Sequence, residues 1–140
     1  MDELTLNFDG GSRGNPGPAG IGVVITASDG TPLVTLGRFI GAATNNVAEY
    51  TALIVGLEQL AGLGARRIVI RGDSELIIKQ MRGEYRVKNP GLRPLYEKAN
   101  SLLAKFESSR FEHNFRESNE MADKLANLAM NRKGEVTELP

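Results

Sequence analysis

The hydrophobic pattern of this chain changes from the period of a strand to the period of a helix near residue 45, and that change limits the folds open to it. Residues 4–9 alternate apolar and polar side chains, as in a strand with one buried face. Residues 21–28 and 32–40 continue as a hairpin with a short turn between them. From residue 46, apolar side chains recur at intervals of three and four, which is typical of a helix. The pattern predicts an antiparallel meander followed by helices in one mixed α/β domain.

The rest of the chain supplies two more strands and three more helices. The predicted elements are strands at 4–9, 21–28, 32–40, 68–70 and 110–115, and helices from 46, from Ser74, over 94–107 and from Ser118 or Asn119 to about 131. The strand at 68–70 follows a helix, so we expect it to run parallel to an earlier strand. The glycine- and proline-rich stretch 10–20 is expected to be a loop. No linker divides the chain, so residues 1–131 form one domain and 132–140 a flexible tail.

Four acidic residues occupy positions where a lone carboxylate needs a partner. Asp9 ends the first strand, Asp73 follows the strand at 68–70, and Glu49 and Asp123 lie in apolar helix patterns. An ionised carboxylate beside a core is costly unless a cation or hydrogen bonds compensate it. The sequence around these residues supplies few Lys or Arg partners. Four such carboxylates meeting at one edge of a sheet predict divalent metal ions.

Each carboxylate also has a structural explanation when it is taken alone. Asp9 precedes two glycines and could begin a turn, and Asp73 precedes Ser74 at a predicted helix start. Asp123 lies in the first turn of its helix, where it favours the helix dipole. Glu49 shares its helical stripe with leucines, so a structural explanation is weakest there. A single metal site would explain the positions of all four carboxylates together.

Composition narrows the chemistry of that site. The chain has no cysteine and a single histidine, His113, which excludes a disulfide framework, a zinc-thiolate site and a histidine-rich zinc site. Oxygen ligands alone suit the hard cations Mg²⁺ and Mn²⁺. No signal-like segment opens the chain, and no apolar run approaches the ~20 residues of a membrane span. We therefore expect a cytoplasmic protein with no membrane segment.

The formal net charge of zero conceals an uneven distribution. Residues 1–65 carry a net charge of −4, residues 66–98 carry +5, and residues 99–140 carry −1. The basic middle segment is either a phosphate-contacting face or a solvated surface, and composition leaves both interpretations open.

Four sequence blocks resemble those of one known family. The blocks DGGSRGNPGPAG, TNNVAEYTALIVGLEQL, IRGDSELIIKQM and NEMADKLANLA look like the signature blocks of type 1 ribonuclease H, in the same order. The resemblance runs from residue 4 to about residue 130. It implies the ribonuclease H-like α/β fold, a five-stranded mixed sheet of strand order 3-2-1-4-5 with helices on both faces.

The same resemblance implies an enzyme. The family hydrolyses the RNA strand of RNA/DNA hybrids endonucleolytically, without sequence preference, and leaves 3′-hydroxyl and 5′-phosphate ends. Its metal-binding catalytic carboxylates match Asp9, Glu49, Asp73 and Asp123, which would hold two Mg²⁺ or Mn²⁺ ions. We expect a monomer whose partner is the hybrid, with no obligate protein partner.

Substrate-contacting residues follow from the resemblance as well. The family recognises the 2′-hydroxyl group, which distinguishes RNA from DNA, with its glycine loop and with asparagines. Thr44 matches a position that contacts a phosphate of the DNA strand, and it is equally suited to cap the following helix. The full set is Gly11, Ser12, Asn15, Thr44, Asn45 and Asn46.

Two departures from the family pattern affect these expectations. Many members carry a histidine in a flexible loop before the last carboxylate, but the stretch NFRESNE is shorter and has none. The chain thus resembles a histidine-free branch of the family, and we hypothesise that Arg116 or Glu117, which occupy roughly that place, takes the auxiliary role. His113 lies several positions earlier with the parity of a strand residue. The basic, tryptophan-rich protrusion of some members is also missing, which predicts weak hybrid binding with a shallow salt dependence.

Two alternatives to this function remain open. Other two-metal nucleases of the same superfold, such as integrases and junction resolvases, share scattered carboxylates but not the GNPGPAG and TNN motifs. A non-catalytic hybrid-binding module is the second alternative, although such a module would not need all four carboxylates.

Overall fold

The computed structural model describes residues 3–113 and 119–138, so Arg116 and Glu117 lie outside the described residues. The strands are β1 (Glu3–Ser12), β2 (Gly17–Ala27), β3 (Pro32–Ala43), β4 (Arg67–Gly72) and β5 (Ser108–His113). The helices are α1 (Asn45–Gly62), α2 (Glu75–Met81), α3 (Arg93–Leu103) and α4 (Glu120–Arg132). No helix in the described ranges is both long enough and apolar enough to cross a membrane.

The strands form one mixed sheet in the order β3-β2-β1-β4-β5. Strands β1, β2 and β3 pair antiparallel, whereas β4 runs parallel to β1 and β5 runs parallel to β4. The larger core packs α1, α2 and α3 against one face, and a smaller core packs α4 against the other face. The predicted strand order and the placement of helices on both faces are confirmed.

The predicted loop at 10–20 is wrong for most of its length. Strand β1 continues to Ser12 and β2 begins at Gly17, with Gly10 opposite Ile21 and Ser12 opposite Ala19. Only residues 13–16 form the turn. Glycine has little strand preference of its own, but it is retained in strands where another backbone approaches closely, and this requirement overrides local propensity.

One such close approach positions α4. A β-carbon on Gly22 would overlap the carbonyl oxygen of Ala122 in α4 and lie 2.7 Å from its carbonyl carbon. Gly22 pairs directly with Asp9 across the β1–β2 ladder. The α4 backbone therefore rests on Gly22 at the position of Ala122. The next residue, Asp123, is thereby brought to the part of the sheet that carries Asp9.

The segment after α4, which the sequence analysis assigns to a flexible tail, contacts β3. Val136 is buried, and its backbone exchanges two hydrogen bonds with Gly37 of β3, at 2.6 and 2.8 Å. Arg38 Nε lies 2.8 Å from Glu135 Oε1. A single apolar residue has no periodicity, so the sequence pattern could not indicate this contact.

We expect Gly22→Ala to lower the free energy of unfolding by about 1–3 kcal/mol, because the added methyl group overpacks the sheet–helix contact. Gly62→Ala is the matched control, since a β-carbon there meets no atom within 4 Å. Denaturant unfolding of both variants measures the difference. Equal stability of the two variants would contradict the close packing of α4 on Gly22.

Candidate metal and substrate site

Carboxylates from three elements meet at the carboxyl ends of β1 and β4. Asp9 of β1, Glu49 of α1 and Asp73 after β4 each place one carboxylate oxygen within 4.8 Å of the other two. Ligands of open α/β sheets bind at this edge. The structure therefore brings together three of the four carboxylates that the sequence singles out.

Glu49 is held in place by the backbone of β1. The Gly10 backbone N–H donates to Glu49 Oε1 at 2.8 Å. A β-carbon on Gly10 would overlap the Ala48 carbonyl oxygen, so α1 lies directly on the strand at this glycine. This contact fixes how far the Glu49 carboxylate reaches toward Asp9.

Asp123 completes the group from the opposite face of the sheet. It is exposed on α4, and it lines the same groove as Asp9, Glu49 and Asp73. Its side chain is close enough for its charge and hydrogen bonding to raise the pKa of Asp9. The four carboxylates thus share one groove, three of them tightly clustered and Asp123 at its solvent side.

Burial and mutual repulsion dominate the electrostatics of the cluster. Burial, followed by the charges of Asp73 and Asp123, raises the pKa of Asp9 from 3.8 to about 8. Burial, followed by the charges of Asp9 and Asp73, raises the pKa of Glu49 well above 4.5, and the Gly10 N–H opposes this only in part. The ion pairs in the described part of the chain involve none of these four carboxylates. A hard divalent cation with oxygen ligands would relieve both effects, so the donor set fits such a metal.

Asn119 is a site-supporting residue whose role the sequence did not reveal. Its Nδ2 donates to the Phe8 carbonyl oxygen at 2.9 Å in the protein interior, and its side chain makes no capping hydrogen bond to α4. Its Oδ1 is buried without a hydrogen-bond partner in the described structure. This contact ties the start of α4 to the residue before Asp9. In a sequence alone, an asparagine at the start of a helix indicates a capping side chain, which Asn119 does not provide here.

The predicted substrate-contacting residues lie beside the carboxylates. The Ser12 N–H donates to Asn45 Oδ1 at 2.8 Å, and the Asn45 N–H donates to Asn15 Oδ1 at 3.0 Å. Gly11, Ser12, Asn45 and Asn46 line the carboxylate groove. Asn15, Thr44, Asn45 and Asn46 line a second groove with Asn89, so the two grooves adjoin. The Thr44 hydroxyl accepts from the Val47 N–H at 3.2 Å, as expected of an N-cap.

His113 contacts the backbone of the site. Its Nε2 lies 3.2 Å from the Asp73 carbonyl oxygen, and it is not among the residues that line the carboxylate groove. His113 lies in a strand, as its parity predicts, and it is the last residue of β5.

Most of the positive charge in the segment 66–98 is paired with carboxylates. Six of its basic residues each lie within 4.0 Å of an acidic side chain: Arg66, Arg71, Lys79, Arg82, Arg93 and Lys98. Arg86 and Lys88 are exposed and form no ion pair within the described ranges. The structure therefore favours a solvated surface over a continuous phosphate-binding face for most of this segment.

Comparison with known proteins finds similarity over nearly the whole chain. A family model described as reverse transcriptase-like matches residues 7–129. The bifunctional protein Rv2228c of Mycobacterium tuberculosis is 46% identical over 129 residues, which cover 91% of this chain and 35% of that protein. Ribonuclease HI of Halobacterium salinarum is 47% identical over 123 residues, which cover 88% of this chain and 62% of that protein. This chain thus spans about a third of the mycobacterial relative and less than two-thirds of the halobacterial one.

Two solved structures share the fold along nearly their full lengths. The crystal structure of RNase H1 from Halobacterium salinarum is 45% identical with a TM-score of 0.91, and the match covers 93% of this chain and 98% of that chain. LC11-RNase H1 in complex with an RNA/DNA hybrid is 44% identical with a TM-score of 0.89, and the match again covers 93% and 98%.

We expect the metal-free protein to lose stability as the pH rises from about 4 to about 8. The pKa of Asp9 is raised in the folded state, so the folded protein retains a proton that the unfolded chain releases above pH 3.8. The stability that this proton contributes is complete below pH 3.8 and is lost as the pH approaches 8. Asp9→Asn removes the titration and should be more stable than the wild type at pH 8 by roughly 1–2 kcal/mol.

Thermal unfolding in EDTA at pH 5 and pH 8 measures this effect. Asp29→Asn is the control, because Asp29 lies in the exposed β2–β3 turn and its pKa is lowered by Thr31. If Asp9→Asn is no more stable than the wild type at pH 8, repulsion within the cluster is not a significant cost.

Proposed function

We propose a function for this chain on the premise that it belongs to the type 1 ribonuclease H family. The proposed activity is endonucleolytic hydrolysis of the RNA strand of RNA/DNA hybrids, leaving 3′-hydroxyl and 5′-phosphate ends. The observation that supports it most strongly is the meeting of Asp9, Glu49 and Asp73 within 4.8 Å at the edge of the sheet. The adjoining grooves lined by asparagines offer a surface for the hybrid.

Asp9, Glu49, Asp73 and Asp123 are the proposed ligands of two Mg²⁺ or Mn²⁺ ions. Divalent ions held there would lower the pKa of a bound water and neutralise charge on the phosphate. The protein's own part is to hold the carboxylate oxygens together against their repulsion. It does so with the Gly10 N–H on Glu49 and with the burial of Asp9 in β1.

Recognition of the RNA strand is assigned to Gly11, Ser12, Asn15, Asn45 and Asn46. The amide oxygens of Asn15 and Asn45 already accept backbone hydrogen bonds within the protein. The Nδ2 donors are therefore the groups left for a 2′-hydroxyl oxygen, which can accept them. A DNA strand has no such oxygen, which would explain selectivity for RNA at this position.

Thr44 is assigned to a phosphate of the DNA strand. Its hydroxyl oxygen accepts from Val47, so the hydroxyl proton can still be donated to a phosphate oxygen. The capping role and the substrate role are compatible on this basis.

Arg116 or Glu117 is proposed to assist near the last carboxylate in place of the absent loop histidine. Glu117→Ala with an unchanged kcat at saturating metal would remove Glu117 from this role and leave Arg116. A cytoplasmic location, a monomeric state and the domain limit at residue 131 stay predictions from the sequence.

We expect the wild type to cut a labelled RNA/DNA hybrid in Mg²⁺ or Mn²⁺, and to cut neither the hybrid in EDTA nor a DNA/DNA duplex. Asp9→Asn and Asp73→Asn should each lower kcat by about 1000-fold, because the metal ions are worth several kcal/mol of transition-state stabilisation. Gel electrophoresis of hybrids labelled on one strand at a time identifies the strand that is cleaved. It also gives the cleavage rates of the wild type and the two variants.

Asp29→Asn is the control, because it makes the same chemical change in the turn after β2, away from the carboxylate groove. It should leave cleavage unchanged. Failure of the wild type to cut the hybrid with any divalent metal would rule out the proposed activity. Full cleavage by Asp9→Asn or Asp73→Asn would remove these residues from the metal site.

A further inference from the structure

Arg13 is a basic residue in a groove otherwise dominated by carboxylates. Of the described residues that line this groove, Arg13 is the one with a basic side chain. It is the first residue of the turn 13–16, and its backbone N–H donates to the Pro18 carbonyl oxygen at 2.8 Å. This hydrogen bond fixes the point from which the exposed side chain extends toward the groove.

The Arg13 guanidinium does not neutralise the carboxylates around it. No described ion pair includes Arg13, and it is absent from the causes that set the pKa values of Asp9 and Glu49. Its Nη2 instead donates to the Asn127 carbonyl oxygen of α4, over a long 3.4 Å. A guanidinium has five N–H donors, so most of them are left for a ligand.

A cation in this position is unfavourable for a metal site unless an anion joins it. Positive charge near the carboxylates opposes the binding of divalent ions by simple repulsion. A phosphodiester that enters with the substrate would offset this cost, and its paired oxygens match the planar fork of a guanidinium.

The groove identifies the strand that supplies this phosphate. Arg13 lines the groove that holds the carboxylates, which by the proposed function face the strand that is cut. Thr44, the residue assigned to the DNA strand, lines only the second groove, which shares Asn45 and Asn46 with the first groove but does not include Arg13. The geometry therefore favours the RNA strand.

We propose that Arg13 is a substrate-binding residue whose guanidinium binds a phosphate of the RNA strand beside the cleaved linkage. The inference rests on the proposed function and adds a residue that the family resemblance did not supply. Because most of the basic residues in 66–98 are already paired with carboxylates, this single contact should account for a measurable share of hybrid affinity.

The test compares Arg13→Ala and Arg13→Lys with a matched control, Arg66→Ala. Arg66 lies just before β4, at the end of the strand away from Asp73, and its Nη2 is 3.0 Å from Glu107. Steady-state cleavage of a hybrid in Mg²⁺ gives KM and kcat over a range of salt concentrations. Fluorescence anisotropy of the same hybrid in EDTA gives its affinity without cleavage.

We expect Arg13→Ala to raise KM by about 10-fold, as for loss of one charged hydrogen bond, with a smaller effect on kcat. Its slope of log affinity against log salt should be shallower than that of the wild type by about 0.7–0.9, as for one phosphate contact. Arg13→Lys should keep the wild-type slope but bind more weakly, because it loses the bidentate geometry. Arg66→Ala should match the wild type in both quantities.

Arg13→Ala values equal to those of Arg66→Ala would overturn the proposal. A lowered Tm with an unchanged salt slope would also overturn it, because Arg13 would then only join the turn to α4. If the wild type cuts no hybrid, the proposed function fails, and the slope in EDTA still decides whether Arg13 contacts a phosphate.

A second set of hybrids tests which strand is bound. Neutral methylphosphonate linkages are placed one at a time in the DNA strand, and the binding of wild type and Arg13→Ala is compared on each hybrid. The loss caused by Arg13→Ala should persist on every one. If it disappears at one DNA linkage, the contact is to the DNA strand and the RNA assignment is wrong.

Discussion

The repulsion among four carboxylates that share one partly buried groove is the constraint on which the rest of this structure depends. Burial and neighbouring charge raise the pKa of Asp9 to about 8, so the metal-free cluster is unfavourable in its ionised form. Such an arrangement persists only when the surrounding fold holds the groups in place and a ligand compensates them. The fold of this chain supplies the first condition, and a divalent metal would supply the second.

Contacts between backbones, rather than between long side chains, hold the cluster together. Helix α1 lies on Gly10 and α4 lies on Gly22, where a β-carbon would overlap a helix carbonyl group in either case. The buried Asn119 amide adds a hydrogen bond from the start of α4 to the Phe8 carbonyl oxygen. Because close-packed backbones yield little, the spacing of the carboxylates is set before any metal binds.

Much of the site could be predicted from the sequence, because its signals are periodic. The stripe position of Glu49 and the place of Asp73 after a buried strand point to the edge where both are found. The supporting residues could not be predicted, because glycines in a strand are indistinguishable from loop glycines until the helices that cover them are known. A role for Arg13 could not be predicted either, because an exposed arginine in a turn belongs to no periodic pattern. Val136 is a lone apolar residue whose contact depends on the tertiary fold.

Calorimetric titration of Mn²⁺ into the wild type and into Asp73→Asn would show whether these carboxylates form a divalent-metal site. We expect saturable binding to the wild type with release of protons, because metal ligands must be deprotonated. Binding to Asp73→Asn should be at least about 10-fold weaker, since removal of even an indirect metal contact has an effect of that size. Equal affinity in the two proteins, or no saturable binding to the wild type, would contradict such a site.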